Sequence, residues 1–333
     1  MAIQSRAELT MSKPFDFDFQ SVERVLIIKF SALGDIVQAM GAVQDVRNNF
    51  PHAKISVLTT PPYPKLWRRC PWVDEILEDT RGKGGHIKKL KNWLHQRRHL
   101  PARNFDVVID LQNTDRTVGY RRAFLSKPSW SYIPRPRSDG TSLPKKLPSL
   151  ERMEKQLLQS GLELQHVGKP DIEWMVNDVS ALLQEAGVSR PMITLVPGCS
   201  PEHPDKMWPH FAPLAEQLIA DGFDVVTVPG PDAAEQDLCK SIPGIVLTGG
   251  SFLDHFDLAG VLARSEFVIG NDTGPMHMAS HLGRPGLALY GPHASAESTS
   301  IESRNIVALS SSDLGRLTVE KVLNRAREMM GAQ

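Results

Sequence analysis

Asp35, in the run VLIIKFSALGDIVQAM, stands where a short apolar strand gives way to a helix. Ser31, Gly34 and Asp35 occupy the turn between them. Gly34 permits a tight turn and close backbone approach. Asp35 has two local readings: an acid at a helix start that interacts with the dipole, or a carboxylate at a cleft floor, placed to take a proton. A second loop, in VIGNDTGPMHMASHLG, carries Asp272, Thr273, Gly274 and Pro275 from a strand into a helix. Asp272 or Thr273 can cap that helix and Pro275 suits its first turn, so its free backbone N–H groups offer an anion site. Gly274 lets a ligand come close. His277 is expected on the first turn facing the same space, the alternative being a satisfied core histidine. A third loop, in LVPGCSPEHPDKMWP, brings Ser200 and Lys206, a hydroxyl and an ammonium suited to diphosphate oxygens. Cys199 reads as packing, because no adjacent group would activate its thiol.

Other chemistries lack their residues. The chain has no G-x-G-x-x-G, Walker A or G-x-S-x-G run and no H-E-x-x-H spacing. No metal and no cofactor is expected.

The elements that must hold these loops alternate in type. Strands are expected at Val25–Lys29, Ile55–Thr59, Val73–Leu77 and Asp106–Leu111, with helices at Asp35–Asn49 and through Trp67. A second series pairs strands at Met192–Val196, Asp224–Val228, Ile245–Leu247, Phe267–Gly270 and Leu287–Tyr290 with helices at Ser180–Ala186, Phe211–Ala220, Ala233–Ser241, Leu258–Arg264 and Gly274–Leu282. Leu150–Gly161 and Thr318–Met330 read as helices, and Pro128–Pro148, with five prolines, as irregular chain. Alternation of this kind makes an α/β protein with parallel sheets covered on both faces. Two doubly wound halves place a ligand cleft at strand C-terminal ends.

At 333 residues each half is long enough for its own core, and 41% hydrophobic with 23% charged residues is ordinary for a globular chain. The 38 Lys and Arg equal the 38 Asp and Glu, which at first argues against an anionic partner. The balance conceals a division: Pro61–Leu150 holds 19 basic and 8 acidic residues. Such asymmetry points to an anionic partner for that third. Lys65, Arg68, Arg116 and Arg121 are its candidates for acidic sugars and phosphates, against the plainer reading of solvated surface charges. Arg81–Arg103 is basic with Ile87, Leu90, Trp93 and Leu94 interleaved, which fits either a solvated helix or an anion or membrane-surface contact. Three separated cysteines suggest a reducing compartment. The first twenty residues lack the apolar core of a secretory signal. A cytoplasmic protein is expected, peripheral at most on the cytoplasmic face of the inner membrane.

The three loops in this order resemble the ADP-heptose:lipopolysaccharide heptosyltransferase family, glycosyltransferase family 9, most specifically in KFSALGDIVQAM, PGCSPEHPDKMWP and NDTGPMHMASHLGRPGLALYGP. The likeness runs from about Arg24 to Pro292. It implies a GT-B fold, two Rossmann-like doubly wound domains facing across a cleft, with the acceptor on the first and the nucleotide-sugar donor on the second. The expected division is an extension at 1–22, an acceptor domain at 23–165, a donor domain at 175–317 and a terminal helix at 318–333 that crosses back to the first domain. The resemblance also implies inverting, metal-independent transfer of a sugar, expected to be heptose from ADP-heptose, to an anionic glycolipid of the lipopolysaccharide core. Asp35 matches the family's catalytic aspartate. Ser200 and Lys206 fall on its diphosphate loop, and Asp272, Thr273, Gly274 and His277 on its donor motif. Glu235 is a weaker match to the acid used on the nucleoside ribose, and Ser31 and Gly34 fall on the acceptor side of the first loop. Cys199 stands where Ala or Thr is frequent, and Arg81–Arg103 has no alignable counterpart. Competing readings are a GT-B nucleotide-sugar epimerase or hydrolase and a silent nucleotide-sugar binding protein. Nucleic-acid binding lacks any accompanying module.

Overall fold

The computed structural model describes residues 14–80, 86–123, 125–134, 147–200, 203–292, 294–301 and 305–331, without the side chains of 86–90 and 92. The chain forms two compact units. The first runs to Ala32 and resumes over Gln38–Asp171; the second comprises Leu33–Val37 and Ile172–Gln333.

The first unit contains β1 (Arg24–Ile28), α1 (Leu33–Asn49), β2 (Lys54–Thr59), α2 (Pro64–Arg69), β3 (Glu75–Glu78), α3 (His86–His99), β4 (Val107–Asp110), α4 (Asp115–Ala123), β5 (Ser129–Ser131) and α5 (Ser149–Gln159). Its sheet is parallel in the order β3-β2-β1-β4-β5. The reason is legible in β1, where Val25, Leu26, Ile27 and Ile28 are all fully buried. An apolar run without alternation needs cover on both faces, as parallel strands have. Chain connections diverge to the two sides of β1, so the loops after β1 and β4 open at a topological switch point. α1 is anchored at its far end by Asp45, whose buried carboxylate accepts backbone N–H groups of Gln165, His166 and Val167, each at 3.0 Å. The His166 ring Nδ1 lies 2.7 Å from the same carboxylate. Phe15 stacks on Phe17, and Phe19 meets Phe17 and Phe50 edge-on, so the described part of the expected N-terminal extension packs onto this unit.

The second unit contains α6 (Ser180–Glu185), β6 (Met192–Val196), α7 (Phe211–Ala220), β7 (Asp224–Thr227), α8 (Ala233–Lys240), β8 (Ile245–Val246), α9 (His255–Arg264), β9 (Phe267–Asn271), α10 (Gly274–His281), β10 (Gly286–Tyr290), α11 (Ala296–Thr299), β11 (Ile306–Ser310) and α12 (Val319–Gly331). Its parallel sheet has the order β11-β10-β9-β6-β7-β8. The switch point falls between β6 and β9, and these are the strands that the PGCSPEHPDKMWP and NDTGPMH loops leave. Asp232 and Asp254 cap α8 and α9 through their carboxylates.

One expectation is corrected, and two elements go beyond those expected. Within the stretch read as irregular, Ser129–Ser131 adds an edge strand to β4, its Trp130 indole donating to Leu125 O at 2.8 Å. α4 and β11 were not expected at all. In the terminal helix, Val322, Leu323 and Ala326 share a core with Ile193, Leu195 and Phe211 of the second unit, and Arg327 pairs with Asp221 at 2.8 Å.

Candidate functional site

In the second unit Lys206, His277 and Tyr290 gather around the carboxylate of Asp272. Asn271, buried at the end of β9, ties two loops: its Oδ1 accepts from Trp208 N at 3.0 Å and its Nδ2 donates to Pro197 O at 2.7 Å. Trp208 is itself locked, its Nε1 donating to Leu317 O at 2.7 Å. This brace presents Lys206 to the next residue along, Asp272. Lys206 Nζ donates to Asp272 Oδ2 at 2.9 Å, Tyr290 Oη donates to Oδ1 at 2.9 Å, and His277 Nε2 lies 3.7 Å from Oδ1. Burial alone would raise the Asp272 carboxyl. The His277 and Lys206 contacts outweigh it and hold the group well below the usual carboxylate range. Asp272 is therefore an anion at neutral pH, and it fixes an ammonium that stays 22% exposed.

Thr273 occupies the N-cap position of α10 without a side-chain cap bond; its Oγ1 donates to Asn271 O at 3.2 Å. Gly274 and Pro275 begin the helix as the sequence suggested. His277 is buried on the first turn, and its Nδ1 finds no partner among the described residues. Ser200 is exposed, on the same loop as Lys206, with its carbonyl accepting from His203 N at 2.8 Å. Cys199 donates to His203 O at 3.3 Å, which braces the loop, and burial followed by the Glu235 charge raises its thiol.

Glu235, on the first turn of α8, reaches back to this loop. A Cβ at Gly198 would lie 1.9 Å from its Oε1, and one at Gly230 would lie 2.7 Å from Oε2. Only glycine at these two positions leaves room for the carboxylate. Burial raises its affinity for a proton, against a backbone hydrogen bond at Gly230.

Asp35 is exposed on the first turn of α1, within the Leu33–Val37 segment that packs as part of the second unit. A Cβ on its neighbour Gly34 would come within 2.7 Å of His277 Cδ2, and one on Gly274 within 2.9 Å of Leu33 Cβ. Glycine at both positions lets the start of α1 and the start of α10 approach closely. The turn before it is held from β4, since Gln112 Oε1 accepts from Phe30 N at 2.8 Å and from Ser31 N at 3.4 Å.

The four acceptor candidates do not form one cluster. Arg116 lies against the fully buried Asp79, its Nε donating to Oδ2 at 2.6 Å, and the Tyr120 hydroxyl bonds the same carboxylate. Arg68 pairs with Glu78 at 3.1 Å with both side chains exposed. These two arginines thus meet the end of β3. Lys65 is exposed on α2. Arg121 stands apart, its guanidinium 3.5 Å from the centre of the Tyr132 ring. Among the described residues no group of three or more His, Cys, Asp or Glu side chains is arranged to hold a metal ion.

Sequence reasoning missed Asn271, Tyr290 and Gln112. Asn271 could have been found from its place beside Asp272 in NDTGP. Tyr290 and Gln112 reach their partners across strands and gave no local signal.

Known proteins resemble this chain along most of its length. Residues 93–324 match the profile of glycosyltransferase family 9 (heptosyltransferase). The chain is 26% identical over 306 residues to lipopolysaccharide heptosyltransferase 2 of Escherichia coli K12, covering 81% of this chain and 83% of that one. It superposes on the glycosyl transferase family 9 structure from Veillonella parvula with a TM-score of 0.73 at 19% identity, covering 95% and 99%. For the E. coli heptosyltransferase WaaC with ADP-2-deoxy-2-fluoro heptose the TM-score is 0.70 at 20% identity, covering 92% and 99%. The two Rossmann-like units have the GT-B fold of these neighbours. A profile match over more than half the sequence, on a chain whose two family loops leave adjacent strands at a switch point, places this protein in glycosyltransferase family 9 (heptosyltransferase).

Proposed function

We propose that this glycosyltransferase moves heptose from ADP-heptose to a sugar of the lipopolysaccharide core, with inversion, at the cytoplasmic face of the inner membrane. The observation that carries the reading is the Lys206–Asp272–His277 cluster beside the α10 N-terminus, with Asp35 next to a glycine that faces His277.

In this mechanism the acceptor hydroxyl must lose its proton as it attacks the anomeric carbon, and Asp35 takes it. Negative charge gathers on the departing diphosphate while the sugar becomes oxocarbenium-like. Lys206, oriented in advance by Asp272, meets that charge together with Ser200, Thr273 and the backbone at Gly274. Glu235 holds the nucleoside ribose. Lys65, Arg68, Arg116 and Arg121 attract the anionic glycolipid, and Ser31 and Gly34 line its approach.

Replacing Asp35 by Asn separates these roles. The variant is expected to lose turnover by about 10²–10⁴-fold, the usual worth of a general base, with donor affinity by calorimetry nearly unchanged. An Asp35→Asn enzyme with full activity would sink the assignment. Sugar released only to water, with no product on the acceptor, would favour a hydrolase or epimerase instead.

A further inference from the structure

We propose that the outward side of α3 is a docking surface for a bilayer of anionic phospholipid. Among its described side chains the helix is fastened on one side. Gln96 is buried and its Nε2 donates to Glu78 O at 2.9 Å, and Leu100, just past the helix end, is buried below it. Apart from Gln96, every described side chain from Lys91 to His99 is exposed. Two of them are large and apolar: Trp93 is 38% exposed and Leu94 50%. At about 100° per residue, Leu94 and Arg98 lie opposite Gln96, and Arg97 and Trp93 continue the same exposed arc back toward it. The Arg97 guanidinium lies 5.2 Å from the Trp93 ring centre, so the cation and the ring form one patch.

The charge around this patch has one sign. No Asp or Glu occurs between Thr80 and Phe105, while the same stretch carries Lys and Arg throughout. A solvated basic helix has no use for an exposed Trp and Leu among its cations. A headgroup region uses both, because indole and aliphatic groups settle at the acyl boundary while Lys and Arg meet lipid phosphates. A nucleic-acid duplex would match the charge and leave Leu94 without an apolar partner. Each basic residue near an anionic surface is worth about 1 kcal/mol, or about fivefold in binding.

The surface deepens the proposed function by supplying the contact a membrane-borne acceptor needs, but its test needs no acceptor. Full-length protein is sedimented with vesicles of phosphatidylglycerol and with vesicles of phosphatidylcholine. Binding is expected with the first only. Trp93→Ser with Leu94→Ser, and separately Arg97→Glu with Arg98→Glu, should each weaken it by about tenfold or more. Both variants should keep the wild-type thermal midpoint and the wild-type rate on a lipid-free, soluble acceptor fragment. Equal sedimentation of wild type and either variant overturns the proposal. So does binding of a short DNA duplex that the charge variant loses and the apolar variant retains. Vesicle binding together with an absence of transfer in every protein would instead overturn the reaction and leave the surface standing.

Discussion

At the residue scale, Asp272 gathers three polar side chains around one carboxylate. It orients Lys206, receives the Tyr290 hydroxyl and faces His277. Burial disfavours its ionised form, and the His277 and Lys206 contacts together overcome that penalty. A carboxyl whose folded-state affinity for protons is depressed adds stability that is present above its unfolded pKa, about 3.9, and is lost as pH falls toward its folded value. Asp272→Asn should therefore be less stable than wild type at pH 7 by about 3 kcal/mol, the low end for breaking a buried pair, because Lys206 keeps some solvent. The difference should shrink progressively below about pH 4. Urea unfolding of both proteins at neutral and acidic pH measures it; a difference that stays constant with pH would mean that the ionised carboxylate is not what stabilises the loop.

At the scale of elements, the placement of the loops was legible and their bracing was not. The runs VLIIK, MITLV and FVIG read directly as buried strands, because an uninterrupted apolar run has few other fates in a chain of this composition. α4 was not legible. Its sequence, DRTVGYRRA, buries only Thr117 and Tyr120, and the helix is held by the Arg116–Asp79–Tyr120 contacts rather than by an apolar stripe. β5 hid among prolines as a three-residue edge strand, and β11 is an edge strand whose middle is only half-buried. The site divides in the same way. Asp35, Lys206, Asp272 and His277 lie in contiguous motifs, whereas the fit of Glu235 against Gly198 and Gly230 spans two βα loops. That fit predicts a backbone effect on binding. Gly198→Ala should displace the Glu235 carboxylate and weaken nucleotide affinity by about tenfold to hundredfold, the worth of a charged hydrogen bond, as Glu235→Ala does. Gly119→Ala, in an open part of α4 where an added Cβ meets nothing within 4 Å, is the control and should bind normally. Calorimetry with ADP reads all three; normal affinity in Gly198→Ala would show that the nucleotide does not depend on this carboxylate.

For the whole molecule, a net charge of zero arises from a basic third and an acidic remainder, and the structure shows how the few acids within that third are used. Asp74 pairs with Arg47, Glu75 with Lys54 and Arg103, Glu78 with Arg68, and Asp79 with Arg116. Four of the eight are thus engaged close to β3. The excess of Lys and Arg gives this third a net positive charge. The field of such a charge is screened by salt. The Debye length falls from about 30 Å at 0.01 M to about 3 Å at 1 M. Lys206, by contrast, acts at close range from a pair whose aspartate is 4% exposed. The two substrates should therefore respond differently. Raising the salt across that range should increase KM for an anionic acceptor severalfold or more, while KM for the nucleotide sugar changes much less. Steady-state kinetics with each substrate varied in turn separates the two slopes. Equal slopes would mean that the basic third carries no acceptor field of its own, and the candidates Lys65, Arg68, Arg116 and Arg121 would revert to surface charge and local structure.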